Sequence, residues 1–246
     1  MNYQYITKFT INITIALFSL TALSQNDSIP SETVTETVAD SIKHKQKYGL
    51  RLGGDVSKLI RSFIDDDYKG FEINGDFRIT KRWYLAGEIG TEEKTTKNDY
   101  LTATASGTYF KAGADYNAYD NWYGMHNMIY GGFRVAASTF SQTRDSFSSY
   151  SQDQYWSPQY SSTISEKFSG LSAIWLEFIA GLKVEVLRNL YLGANIQFKY
   201  VVSQDQPDNF ENLYIPGYNK TYDSGKFGFG YGYNISYLIP IFKKNK

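Results

Sequence analysis

No cysteine occurs anywhere in the sequence, so no disulfide staples the fold and no thiol nucleophile is available. Histidine is almost as scarce, with only His44 and His126. Beyond the N-terminal segment there is no run of about 18 apolar residues, the length a helix needs to cross a bilayer. Excess charge is also missing. The 25 Lys and Arg residues balance 25 Asp and Glu, which removes the basic surplus on which nucleic-acid binding depends. The chain is rich instead in aromatic residues (17%, with 22 tyrosines) and in glycine, although its mean hydropathy is negative.

The first residues carry Lys8, then the apolar run Ile11 to Leu23, then Ala22-Leu-Ser24. A basic start, a short apolar stretch and small residues around a cleavage point describe a secretory signal peptide. Cleavage is expected after Ser24, giving a signal peptide over 1–24. Residues 25–47 are polar, aperiodic and rich in Thr, Ser and Glu, and read as a flexible periplasmic linker.

From residue 48 to 246 the pattern changes to alternation with a period of two, the mark of a β-strand. It is clearest in Phe227-Gly-Phe-Gly-Tyr-Gly-Tyr-Asn-Ile-Ser-Tyr-Leu-Ile239, where bulky residues alternate with Gly, Asn or Ser. Eight strands are predicted, over 48–60, 68–79, 83–93, 105–117, 126–142, 171–187, 190–203 and 226–241. Nearly every charge falls on one parity. Lys58 is the exception, attributed to exposure at a strand end.

Alternation alone does not say which face is inside, because a soluble lipocalin-like barrel alternates too. Volume decides. An eight-stranded barrel has room inside only for ordinary side chains. Phe71, Phe77, Trp83, Phe110, Phe133, Phe178, Phe198 and the rings of the last strand would overfill it. The apolar face therefore points outward, into lipid. The connections at 80–82, 118–125 and 188–189 are short, whereas the others run to about 7, 11, 28 and 22 residues. Short turns at one end and long loops at the other are the habit of outer-membrane barrels. The predicted fold class is all-β: an eight-stranded antiparallel up-and-down transmembrane β-barrel with long extracellular loops, in the cell outer membrane. Tyr48, Trp83, Tyr84, Tyr119, Trp122, Tyr191 and Tyr237 are expected to form its periplasmic aromatic girdle.

Three stretches, Tyr48-Gly-Leu-Arg-Leu-Gly-Gly-Asp55, Gly107-Thr-Tyr-Phe-Lys-Ala-Gly-Ala-Asp-Tyr-Asn117 and Trp175-Leu-Glu177, give the chain a family likeness. It resembles an uncharacterised family of Bacteroidota outer-membrane β-barrels, a domain of unknown function. In architecture it is similar to small OmpA/OmpX-like barrels. The resemblance implies the barrel fold and supplies no catalytic residues. It departs from such barrels at the C-terminus, where Lys243-Lys-Asn-Lys246 follows Phe242.

The inward parity carries Arg51, Asp55, Glu72, Asp76, Arg78, Glu88, Lys111, Asp115, Arg134, Glu177, Lys183, Glu185 and Lys199. Both signs are interleaved, as mutual neutralisation in a narrow lumen requires. Glu177 is the first candidate for acid–base work, and a salt bridge is its expected fate. His44 lies in the linker and His126 beside a periplasmic turn, so no histidine can serve at an extracellular rim. No catalytic residue, cofactor or metal is expected, and Asp65-Asp-Asp67 reads as a solvated acidic tip. The long loops remain. One holds Phe147, Tyr150, Tyr155, Trp156 and Tyr160; the other holds Phe210, Tyr214, Tyr218 and Tyr222, all among Ser, Gln, Asn and Asp. Rigid aromatic anchors with adaptable polar neighbours are the recipe of protein-binding loops. The expected role is a non-catalytic scaffold in contact with outer-membrane lipid, docking an envelope protein. The partner would be a surface lipoprotein or a subunit of an outer-membrane assembly machine. A small channel and a lipid-modifying enzyme are the alternatives.

Overall fold

The computed structural model describes residues 46–119, 126–149, 160–207, 211–220 and 225–244. The expected signal peptide and most of the linker lie outside the described residues. The elements are β1 (Gln46–Asp55), α1 (Val56–Ile64), β2 (Tyr68–Arg78), β3 (Trp83–Lys97), β4 (Leu101–Asn117), β5 (Met128–Ser149), β6 (Tyr160–Ser162), β7 (Glu166–Leu187), β8 (Leu190–Gln204), β9 (Tyr214–Ile215), β10 (Asn219–Lys220) and β11 (Phe227–Lys244).

Eight long strands close into an antiparallel ring. Neighbours run β1-β2-β3-β4-β5-β7-β8-β11, and β11 returns to β1. Gln46 pairs with Lys244, so the two described chain ends meet at one end of the barrel. The turns after β2 and β7 lie at that same turn end. The second is a tight Arg188-Asn189 connection, with Asn189 in the left-handed region at φ 66°. The opposite, loop end carries the longer connections.

The ring is apolar outside and polar inside. Phe229, Tyr231 and Ile196 are 76%, 68% and 67% exposed, whereas Lys111, Asp115 and Glu177 are buried. Outward rings meet edge-on across strands, as in Phe133–Phe178 at 5.1 Å and Phe198–Phe229 at 5.1 Å. No helix among the described residues is long and apolar enough to cross a membrane.

Four departures from the sequence reading matter. First, the opening strand stops at Asp55 instead of residue 60. The Asp55 carboxylate accepts from the Ser57 N–H at 2.8 Å and caps α1. Leu59, Ile60, Phe63 and Ile64 then fall on one helical face, with Lys58, Arg61 and Ser62 on another. Second, β3 and β4 extend to a short connection over 98–100, and β5 and β7 are 22 residues each. The outer faces of these extensions are mostly polar, with Thr95, Thr104 and Thr143 beside charged residues such as Lys97 and Lys167, so no apolar alternation marks them. They pair through hydroxyls, as Thr95 and Thr104 do at 3.1 Å. Third, the stretch 211–220 folds into the barrel instead of projecting from it. Fourth, only Trp83, Tyr119 and Tyr237 of the expected girdle are exposed. Tyr48, Tyr84 and Tyr191 turn inward around Arg51 and Arg78, and Trp122 lies outside the described residues.

Ile196 sits at the middle of the outer belt, paired with Ala180 and Tyr231. Ile196→Arg is expected to destabilise the barrel in vesicles by about 2–4 kcal/mol, the cost of an arginine on the lipid face at the bilayer midplane. Denaturant titration of the reconstituted protein reads this. A loss below about 0.5 kcal/mol, the range of ordinary surface changes, would count against the outward belt.

Candidate functional site

The polar groups of the lumen sit in three tiers. At the turn end Asp76 lies between Arg51 Nη2 at 2.7 Å and Lys183 Nζ at 2.6 Å. Arg78 donates to the carbonyls of Thr80 and Lys81 at 3.1 and 2.6 Å, and covers the Tyr48 ring. Glu185 takes Lys47 at 3.2 Å. His126 stands nearby, and burial lowers its pKa.

In the middle tier Lys111 lies among three carboxylates: Glu88 at 3.1 Å, Glu177 at 3.3 Å and Glu72 at 3.8 Å. Arg134 joins Asp115 at 2.7 Å to Glu88 at 3.5 Å. Lys199 reaches Glu177 at 3.5 Å, and the Trp175 indole N–H donates to the same carboxylate at 2.8 Å. Glu177 is thus shared by two ammonium groups and an indole. Cavities in the middle and at the turn end measure about 20 Å³ each, room for a single water.

The upper tier is built on Glu92 of β3, which the sequence reading passed over. Its carboxylate is buried and pairs with Lys58 of α1. It accepts from the Tyr68 hydroxyl at 3.0 Å, the Tyr214 hydroxyl at 2.7 Å and the Gly217 N–H at 2.8 Å. Lys58 also reaches Glu72 at 3.3 Å, and the Tyr109 hydroxyl donates to Glu72 at 2.6 Å. Lys58 is therefore an inward-facing charge and not a rim exception. The helix, absent from the sequence reading, is what turns it inward.

Above this tier the segment from β9 to β10 plugs the barrel. Ile215 and Tyr218 are buried against Trp175, Tyr109, Phe140, Leu171 and Val201. Tyr218 meets Trp175 edge-on at 5.9 Å. Gly217 has φ +82°, and a Cβ there would strike the Tyr109 ring at 2.5 Å, so glycine is required on two counts. Gly228 of β11 leaves room for the Tyr218 ring, which a Cβ would meet at 2.9 Å. Lys199 Nζ donates to the Gly217 carbonyl at 2.7 Å, and Gln142 donates to the Glu211 carbonyl at 2.8 Å.

The structure thus gathers the thirteen predicted inward charges in one lumen and adds Lys58 and Glu92. Asp55 differs in role, because it caps α1. Tyr214 and Tyr218, expected to meet a partner, are buried plug residues instead. Phe147 lies half-buried on β5 with Arg144 over its ring at 4.5 Å. Tyr150, Tyr155, Trp156, Phe210 and Tyr222, and the side chain of Tyr160, lie outside the described residues. Glu92 shares the parity of Ala86, Glu88 and Gly90, so extending that alternation by one step would have found it. Among the described residues no group of three or more acidic or histidine side chains is placed to hold a metal ion. Asp65 takes Lys94 at 2.9 Å, which lowers its pKa, and Asp67 takes Lys97.

A family profile described as a domain of unknown function, DUF6048, matches residues 6–244. The chain belongs to the DUF6048 family. Among solved structures, the DUF6048 chain is similar to Ail, the attachment invasion locus protein of Yersinia pestis. The TM-score is 0.38 and the identity 10%, over 78% of this chain and 97% of that one. No curated protein matches it.

Glu92→Gln is expected to cost roughly 3–5 kcal/mol, the price of leaving one partner of a buried ion pair alone, and to loosen the plug. The readout is acrylamide quenching of Trp175, with the other three tryptophans replaced by Phe. Trp175 is shielded in the parent and exposed to quencher in both Glu92→Gln and Gly217→Val. Unchanged shielding in both variants would refute the plug.

Proposed function

We propose that the protein is a non-catalytic outer-membrane barrel that serves as a scaffold, docking another envelope protein at its loop end. In this reading the turn end is periplasmic and the loop end extracellular. The observation that carries it is the filled lumen: interleaved charges and the inward plug occupy the interior from one end to the other. An aqueous pore comes with about twice as many strands, and a channel here would need the plug removed. A lipid-modifying enzyme would need a reactive group at the loop end, whereas His126 lies at the turn end and His44 lies outside the described residues.

What the barrel presents outward, beyond its belt, is the projecting part of β3–β4 and β5–β7. Tyr100 and Ile164 are exposed there at 59% and 79%. Exposed apolar residues in the connections at the tips of these strands support docking of a protein partner. The correction to Tyr214 and Tyr218 moves the candidate surface to this side of the rim. A surface lipoprotein or a subunit of an assembly machine fits the setting.

Photo-crosslinking residues placed at Tyr100 and Ile164 in intact cells are expected to trap one discrete envelope protein. The same residue at the buried Ser138 is expected to trap none. A barrel that stays uncrosslinked and always elutes alone from mild detergent would end the docking proposal. In planar bilayers no stable conductance is expected. A conductance altered by Arg134→Gln or Glu177→Gln would favour the channel, and altered lipid A in a knockout would favour the enzyme.

A further inference from the structure

The barrel wall is incomplete at its loop end, and α1 stands in the gap. Strand β1 pairs with β11 only up to Asp55↔Asn234, and with β2 only up to Gly54↔Ile73. Residues 227–233 of β11 and 68–72 of β2 thus continue beyond β1 with no strand between them. The helix packs between these two edges.

Its two sides are attached unequally. Toward β2, Ser62 Oγ accepts from the Gly70 N–H at 2.8 Å, taking the place of a missing strand partner. Arg61 stacks on the Tyr68 ring at 3.9 Å, and Lys58 reaches Glu72. Toward β11, no hydrogen bond joins the helix to residues 227–233 among the described residues. A cleft of about 90 Å³ occupies that side instead. Ser57, Lys58 and Arg61 line it from the helix, Phe229 and Tyr231 from β11, and Lys199 from inside. Phe229 and Tyr231 belong to the lipid-facing belt, so the cleft opens where the belt is. Lys58, Arg61 and Lys199 outnumber Glu92, the one carboxylate of the lining; their further partners Glu72 at 3.3 Å, Asp65 at 3.5 Å and Glu177 at 3.5 Å stand outside the cleft.

The outer face of α1 continues the belt across the gap. Leu59, Ile60, Phe63 and Ile64 are all exposed, Phe63 at 88%. An apolar helix face in line with a lipid-facing wall is solvated by acyl chains.

We propose that the seam between α1 and β11 is a lateral binding site for an anionic bilayer lipid. The acyl chain lies against Phe229, Tyr231 and the apolar face of α1, and the negatively charged head enters the cleft toward Arg61, Lys58 and Lys199. The site rests on the membrane reading given above. It is independent of the protein partner, because it lies in the wall and not on the projecting strands. The unequal attachment of α1 lets the β11 side widen while the β2 side holds.

The absence of native cysteine makes single-thiol labelling a direct test. The full mature chain is reconstituted in phosphatidylcholine vesicles with one cysteine at a time and treated with a maleimide carried on a dodecyl chain. Phe178→Cys, on the outer belt, reports membrane insertion. Gln197→Cys lies on the inner wall of the cleft, where among the described residues the Gln197 side chain donates to Asn195 alone, so the change is mild. Ser138→Cys, inward on the opposite wall, is the control. Phe178→Cys is expected to label fastest, with Gln197→Cys several-fold faster than Ser138→Cys. Equal rates for Gln197→Cys and Ser138→Cys, with Phe178→Cys labelled, would overturn the lateral site and leave the membrane reading standing. A protected Phe178→Cys would overturn both.

Replacing half the lipid with phosphatidylglycerol is expected to slow Gln197→Cys relative to Phe178→Cys, and an unchanged ratio would overturn the anionic assignment. Millimolar inorganic phosphate is expected to have no effect. Slowing by phosphate would make this a site for the free anion and overturn the lipid.

Discussion

One carboxylate, Glu92, joins the parts of this molecule that are far apart in sequence. It is only 1% exposed, so its charge must be neutralised by neighbours fixed in place. Lys58 comes from the helix that replaces the end of β1. The Tyr68 hydroxyl comes from the start of β2, and the Tyr214 hydroxyl and Gly217 N–H from the inward plug. Helix, wall and plug therefore meet at one charge. The same constraint governs the lower tiers, where Lys111 answers three carboxylates and Asp76 answers two cations.

This arrangement inverts the plan of a soluble barrel. A water-soluble protein keeps its charges outside and relies on apolar burial within. Here lipid solvates the rings outside, and directional polar contacts fill the interior along with three apolar clusters among the described residues, the largest around Trp175. Such interiors specify shape more than they add net stability, because desolvation offsets much of the Coulomb gain. A lumen filled in this way is a rigid post. That is why the functional reading turns to the rim and to the wall.

The period-two signal made most of this legible in advance. It located all eight strands, their inward parity and thirteen of the lumen charges, because sheet geometry forces alternation wherever one face meets lipid. It failed wherever a segment left the lipid. The tops of β3, β4, β5 and β7 face water outside, so Thr, Ser and charged residues replace most of the apolar ones and the alternation fades. The segment Val56–Ile64 begins with an apolar residue at the expected parity, and the Asp55 cap that diverts it into a helix was read as one more inward charge. Tyr214 and Tyr218 carry the composition of a binding loop. Nothing local distinguishes a tyrosine that meets a partner from one that meets Trp175 and Glu92 across the barrel.

The helix follows from the same geometry as the plug. If β1 ran on to residue 60 as a strand, Lys58 would share the outward parity of Val56 and place its charge in lipid. Coiling the segment from Asp55 turns Lys58 inward, lays Arg61 over the Tyr68 ring and sets Leu59, Ile60, Phe63 and Ile64 outward, so both solvents are satisfied. The cost is a wall whose β11 edge has no strand partner over 227–233. A closed barrel leaves no such edge, and an open one is tolerated at membrane depth only where something polar answers it. Ser62 answers the β2 edge. On the β11 edge a cationic cleft remains, and that asymmetry gives this barrel a side as well as two ends.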